Sequence, residues 1–262
     1  MAFLKHNGRT LCYRLLGDSA KPLILMAHPL GMTQGVWDDM LPSLLGKFRV
    51  LTWDLPGHGA SAAWPAGSSR ITPDDLAREA LALADNAGVE QFHFVGTSIG
   101  GVIGQQLVSQ HADRLLSATL TNTGAVIGTA DAWNTRSANV LELGLQTMAV
   151  DIVPRWFGPN ACEQQPALVE GWRVIMGRGD NRSYALLCEM LGRADFREQL
   201  GHHQVALALI GGTDDVATPP ETLQALAQCS GAQEPVILEG IGHVPSVECP
   251  QKFSQMLIRN LV

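Results

Sequence analysis

The chain predicts an α/β fold: a mostly parallel central sheet flanked by helices, interrupted by a helical cap. Three observations carry that prediction. Continuous apolar runs recur along the chain, helical stretches separate most of them, and the alternation breaks once, between about residues 124 and 195. The runs "PLILMA" (22–27), "FRVLTW" (48–53), "QFHFVG" (91–96), "LLSATLTN" (115–122), "VALALIGG" (205–212) and "PVILEG" (235–240) read as strands buried on both faces. Strands alternating with helices form right-handed βαβ units, and those build a parallel sheet.

In chain order, the start reads as a β-hairpin, because two short apolar runs flank Asn7-Gly8, a strong two-residue turn signal. The stretch "PDDLAREALALADNAG" (73–88) is a helix with Pro at its start and Gly at its end. From about Gly124 to Asp195 the pattern is helical throughout, rich in Trp (Trp133, Trp156, Trp172) and Arg (Arg136, Arg155, Arg173, Arg178, Arg182, Arg193). The expectation is one domain, 1–262, with a core at about 1–123 and 196–262 and a helical cap at about 124–195. A chain of 262 residues is long enough for one such core.

Composition narrows the function. A net charge of −7 offers no basic footprint for nucleic acid or an anionic membrane. The five cysteines are scattered with no C-x-x-C pair, which argues for reduced thiols and against a disulfide frame or zinc site, so no metal is expected. "MAFLKHNGRTLCYRLLG" lacks the apolar centre of a signal peptide, and no apolar run reaches the roughly 18 residues of a membrane span. The expected setting is the cytoplasm and the expected partner a small molecule.

The chemistry centres on "FHFVGTSIGGVIGQQL" (92–107). Here Gly96-Thr97-Ser98-Ile99-Gly100 follows a predicted strand and opens a predicted helix, the strand–turn–helix context that a nucleophile elbow requires. The turn is so sharp that side chains at the glycines would meet neighbouring backbone. Ser98 then sits at a helix N-terminus, which favours developing negative charge. A serine hydroxyl is a weak nucleophile and needs a base, itself oriented by a third group. Of eight histidines, His93 lies within a core strand, His28 fixes its loop, His58 stabilises its glycine-rich turn, and His202 and His203 form a surface turn. His243 differs: it lies in "EGIGHVPSVECP", beyond the last strand, where ligand-facing groups of open α/β sheets gather. The same rule selects a carboxylate from "IGGTDDVATPP", and spacing alone leaves Asp214 and Asp215 both eligible. The chain order Ser, Asp, His differs from those of chymotrypsin and subtilisin. The reading is a Ser–His–Asp hydrolase. Trp37 and Trp53 read as core packing, and the cysteines, Cys188 included, as small buried hydrophobes.

With these residues the chain resembles the α/β-hydrolase family over nearly its whole length. "WDLPGHGAS" (53–61) is similar to that family's glycine-rich turn and "HPLGMTQGVWDDMLPSL" (28–44) to its oxyanion loop. The G-x-x-D pattern starting at Gly212 aligns the family acid with Asp215. A closer resemblance, to the 3-oxoadipate enol-lactonases of aromatic degradation, lies in "HPLGMTQGVWDDMLP", "AWNTRSANV", "RWFGP", "GGTDDVATPPE" and "GIGHVPSVECPQKF".

This resemblance implies hydrolysis of a small lactone or carboxylic ester through an acyl-enzyme. Ser98 would be the nucleophile, His243 the base and Asp215 its partner, with the backbone N–H groups of Leu30 and Ile99 as oxyanion donors and no cofactor. Pro29 departs from the family's frequent His-Gly pair; proline has no N–H, but neither expected donor is lost. The enol-lactone carries a carboxylate, which Arg136 would bind as a two-donor fork, with Trp133 an apolar wall on the same helical face. The other reading has Trp133 packing the cap and Arg136 solvated. Other functions on the same residues are a general carboxylesterase, a C–C bond hydrolase and a non-hydrolytic small-molecule receptor. Serine at position 98 sets aside the haloalkane dehalogenases and epoxide hydrolases, whose elbow carries Asp.

Overall fold

Every apolar run named above becomes a strand in the computed structural model, which describes residues 1–201 and 203–261; the reading of His202 as a surface turn lies outside them. The strands are β1 (Ala2–His6), β2 (Arg9–Leu16), β3 (Leu23–Ala27), β4 (Arg49–Trp53), β5 (Phe92–Thr97), β6 (Leu115–Thr121), β7 (Ala206–Gly212) and β8 (Val236–Leu238). They form one sheet in the order β1-β2-β4-β3-β5-β6-β7-β8. The β1–β2 and β2–β4 pairs are antiparallel, and all others are parallel. The hairpin forms as expected: Asn7 (φ 45°) and Gly8 (φ 79°) both take the left-handed region that a two-residue primed turn requires. β3 and β5 are buried at every position, which explains why their sequences are apolar without alternation. β8 stops sooner than its run suggests, since it pairs only with β7 and Gly240 (φ 70°) turns the chain away.

The helices are α1 (Leu41–Leu44), α2 (Pro73–Asn86), α3 (Ile99–Gln110), α4 (Ala130–Leu143), α5 (Leu145–Ile152), α6 (Pro159–Gln164), α7 (Pro166–Gly177), α8 (Asn181–Arg193), α9 (Pro220–Ser230), α10 (Pro245–Glu248) and α11 (Pro250–Leu261). α2 begins with Thr72 and Asp75 capping each other's backbone N–H groups and Pro73 in its first turn, so its start is fixed locally. α2 packs on α3, α3 on β5 and β6, and α11 on α1. Trp37 and Trp53 are fully buried in the core. All five cysteines are free, with Cys12 and Cys188 buried and the others half-buried. Among the described residues no helix is long and apolar enough to cross a membrane.

Between β6 and β7 the described residues hold α4 to α8 and no strand, with α4 packed on α8 and α5 on α7. Two contacts tie this helical insertion to the sheet's loops. At the first, the Asp180 N–H donates to the Gly57 carbonyl (2.9 Å) and the Ser183 hydroxyl accepts from the Trp64 N–H (2.9 Å). A Cβ on Gly57 would lie 2.6 Å from Ser183 Cβ, so only glycine lets α8 seat there. At the second, the His243 N–H donates to the Trp156 carbonyl (2.9 Å) and the Gly158 N–H to Glu248 Oε2 (2.8 Å).

Candidate active site

Ser98 caps α3 with φ 60° and ψ −116°, a conformation that costs a non-glycine residue energy and that clusters at functional sites. Two close approaches create the turn. A Cβ on Gly96 would lie 2.1 Å from the Gly100 oxygen, and one on Gly100 2.3 Å from the Ala27 oxygen. The backbone of Ser98 is pinned by the Thr121 carbonyl, which accepts from its N–H (2.9 Å), and by the Thr123 hydroxyl, which donates to its oxygen (2.9 Å). The Ser98 side chain does not cap its own helix, so the hydroxyl is left for other work.

Asp215 and His243 arrive on the loops after β7 and β8, at the same end of the sheet. His243 Nδ1 lies 2.8 Å from Asp215 Oδ2. The Asp215 carboxylate collects four further hydrogen bonds: its Oδ1 accepts from the N–H groups of Ala217 (2.8 Å) and Thr218 (3.0 Å), and its Oδ2 from the Thr218 hydroxyl (2.7 Å) and Asn122 Nδ2 (2.9 Å). Burial pushes this carboxyl up, but the charge and hydrogen bond of His243 and the Thr218 donors outweigh it and hold Asp215 well below the usual carboxylate range. The choice the sequence left open is thus decided geometrically. Asp214 is half-buried and accepts from the Thr213 hydroxyl (2.9 Å), away from His243.

Leu30 follows β3 in a loop where the next two N–H groups are engaged. The Gly31 N–H donates to His58 Nε2 (3.0 Å) and that of Met32 to the Pro29 carbonyl (3.2 Å). Among the described residues the Leu30 N–H is left over, as is that of Ile99 in the first turn of α3, where no intrahelical partner exists. Two neutral histidines set this loop. His28 Nε2 accepts from the Leu55 N–H (3.0 Å), so its proton sits on Nδ1 and donates to the Pro29 carbonyl (2.8 Å). His58 repeats the arrangement, with Nδ1 donating to the Pro56 carbonyl (2.8 Å). Burial, then the neighbouring His28, lowers His58 to about 3, and burial lowers His28 as well.

Leu30, Ser98 and His243 line one cavity of about 250 Å³, together with Ile127, Ile152, Trp156 and Tyr184. Trp133 and Arg136 line it too. The Arg136 guanidinium carbon stands 4.9 Å from the Trp133 ring centroid, a cation–π contact, while the Trp133 Nε1–H donates to the Ile127 carbonyl. Arg155 brings a second cation to the wall, and among the described residues no carboxylate lines it. Among the described residues neither Arg136 nor Arg155 enters an ion pair. Cys188 is fully buried and off the cavity wall.

The sequence reading missed Arg155, Tyr184, Thr218 and Asn122 as candidate site residues, and it missed the reach of His58 to the loop of Leu30. Thr218 was findable as a hydroxyl three residues after Asp215 in a Pro-rich turn. Asn122 was findable as a polar residue just past the end of β6, by the rule that located His243.

The chain matches the family model described as the alpha/beta hydrolase family over residues 24–256. It is similar to 3-oxoadipate enol-lactonase 2 of Acinetobacter baylyi, 33% identical over 244 residues that cover 93% of this chain and 90% of that protein. The crystal structure of the enol-lactonase from Burkholderia xenovorans LB400 superposes with a TM-score of 0.92 at 30% identity, covering 99% of both chains. A pimeloyl-[acyl-carrier protein] methyl ester esterase of Aeromonas hydrophila is 25% identical over 90% of this chain and 94% of its own length.

Proposed function

The chain belongs to the alpha/beta hydrolase family, and from that premise we propose that it is a serine hydrolase of small lactones bearing a carboxylate, with 3-oxoadipate enol-lactone as its substrate. The observation that carries the proposal is one cavity of about 250 Å³ where Ser98 and His243 meet two arginines that form no ion pair among the described residues. That volume lies below the ~300–1,000 Å³ of pockets for drug-sized ligands, which suits a small ring and not a long acyl chain. Unpaired guanidiniums without a lining carboxylate suit an anion.

His243 takes the Ser98 proton as Oγ attacks the lactone carbonyl, and Asp215 holds the imidazole and balances its charge. The N–H groups of Leu30 and Ile99 receive the oxyanion, each worth about 3 kcal/mol to the transition state. Collapse breaks the ring C–O bond. The leaving oxygen is an enolate still tethered to the acyl chain, and it takes the imidazolium proton. Water, deprotonated by His243, attacks the acyl-enzyme, and breakage of the Ser98 ester returns the proton to Oγ. One lactone and one water give one open-chain dicarboxylate. Arg136 and Trp133 bind the carboxylate already present on the substrate, with Arg155 adding charge at the same wall.

The test is lactone disappearance with wild type, Ser98→Ala and Arg136→Ala, against a neutral ester. The expected result is fast lactone turnover, lost in Ser98→Ala, with the Arg136→Ala KM raised at least tenfold for the lactone and unchanged for the ester. Rapid ester cleavage beside an inert lactone would reassign the protein as a general carboxylesterase. Activity surviving in Ser98→Ala would overturn the mechanism.

A further inference from the structure

One side chain touches both the acid and the loop of the base. Asn122 follows β6, is fully buried, and takes φ 47°, a region that costs most residues other than glycine. Its own N–H is anchored on the Ile210 carbonyl (2.9 Å). Its Nδ2 donates one proton to Asp215 Oδ2 (2.9 Å) and the other to the Gly242 carbonyl (3.0 Å). Both partners only accept, which fixes the amide's orientation: nitrogen toward the site, Oδ1 away. That Oδ1 is buried without a partner among the described residues. Asparagine tolerates a left-handed backbone better than most residues, but glycine would hold it without burying an unpaired oxygen, so the backbone alone gives no reason for the amide.

The two donated bonds supply the reason. Gly242 immediately precedes His243, and its peptide is held from both sides: its N–H donates to Glu248 Oε1 (3.0 Å) and its carbonyl accepts from Asn122. Asn122, Thr218 and His243 all converge on the same oxygen of Asp215. We propose that Asn122 is a positioning residue: its amide locks the Asp215 carboxylate and the His243 loop into one unit, so that the imidazole keeps a fixed aim toward Ser98. This rests on the Ser98–His243–Asp215 reading above. An amide fits the role where a carboxylate does not, since an aspartate at 122 would turn a negative oxygen toward Asp215.

A two-background kinetic cycle tests it. Asn122→Gly keeps the left-handed backbone and removes both donors. It is expected to lower kcat about 30-fold or more with KM changed less than about threefold, and to cost less than about threefold in an Asp215→Asn background, because residues acting through one another are not additive. Asn122→Asp, which keeps size and backbone tolerance while exchanging donor for acceptor, is expected to lose at least as much in the wild-type background, so the test survives poor folding of the glycine variant. Equal losses in both backgrounds would reduce Asn122 to a general stability element and overturn the proposal. A crippled Asp215→Asn enzyme beside a fully active Asn122→Gly enzyme would overturn the positioning role alone. Full activity of Asp215→Asn would overturn the triad reading and this proposal with it.

Discussion

Adding one methyl group at Gly100 probes the elbow directly. The new Cβ would stand 2.3 Å from the Ala27 carbonyl oxygen and 2.9 Å from its carbon. Ordinary contact needs roughly 3.5 Å, so the start of α3 must withdraw from β3 by about 1 Å. Forced overpacking of this kind costs about 1–3 kcal/mol. For a chain this long each kcal/mol moves the melting midpoint by roughly 2–4 °C, so a fall of roughly 2–12 °C is expected. Ser98 caps the same helix and must move with it, and a misplacement of about 1 Å costs on the order of 100-fold in rate. The control is Gly171→Ala, inside α7, where an added Cβ meets nothing within 4 Å. That substitution exchanges glycine for the best helix former and should add about 0.5–1 kcal/mol while leaving kcat alone. Melting scans and kcat with a soluble ester read both variants. A Gly100→Ala enzyme with wild-type kcat and melting point would show that contact with β3 does not set the position of Ser98.

Acid sensitivity should trace to His58, which accepts from Gly31 in the loop after β3. His58 is lowered from 6.5 to about 3 in the folded chain, so the stability it contributes is fully present above pH 6.5 and is lost as pH falls toward 3. Denaturant unfolding between pH 4 and 6 should show a slope of about 1.4 kcal/mol per pH unit from this residue, removed in His58→Gln; an unchanged slope would refute the assignment. Glu248→Gln leaves one amide oxygen to serve the N–H groups of both Gly158 (2.8 Å) and Gly242 (3.0 Å), so a loss of about 2 kcal/mol is expected, together with a lower kcat. Unchanged melting and turnover would show that the second anchor of the helical insertion is idle.

The strands were legible because burial on both faces of a parallel sheet leaves no room for polar alternation, as Leu23–Ala27 and Phe92–Thr97 show. Ser98 and His243 were legible as candidates because a strand–turn–helix junction and the far ends of parallel strands are where ligand-facing groups gather. Asp214 and Asp215 were not separable along the chain, because neighbours in one loop share every spacing. Only the direction of each carboxylate, one toward His243 and one toward Thr213, tells them apart. Residues acting across long sequence distances stayed hidden. The hydrogen bond from Gly31 to His58 spans 27 positions, and that from Asn122 to Asp215 spans 93, so neither leaves a local signature. Arg155 was visible within "RWFGP", yet its presence on the same wall as Arg136 depends on how the insertion folds back.

That folding back divides the molecule's labour. The sheet's loops supply Ser98, Asp215 and His243, whereas α4 and α8 supply Trp133, Arg136 and Tyr184. The two sets meet at the cavity, and the two contacts that join the insertion to the sheet's loops, Gly57 with Ser183 and Trp156 with His243, lie outside α4. Drift in the surface of α4 can therefore change which molecule is admitted without disturbing how it is cut. A lineage built this way can explore new diets while its chemistry stands still.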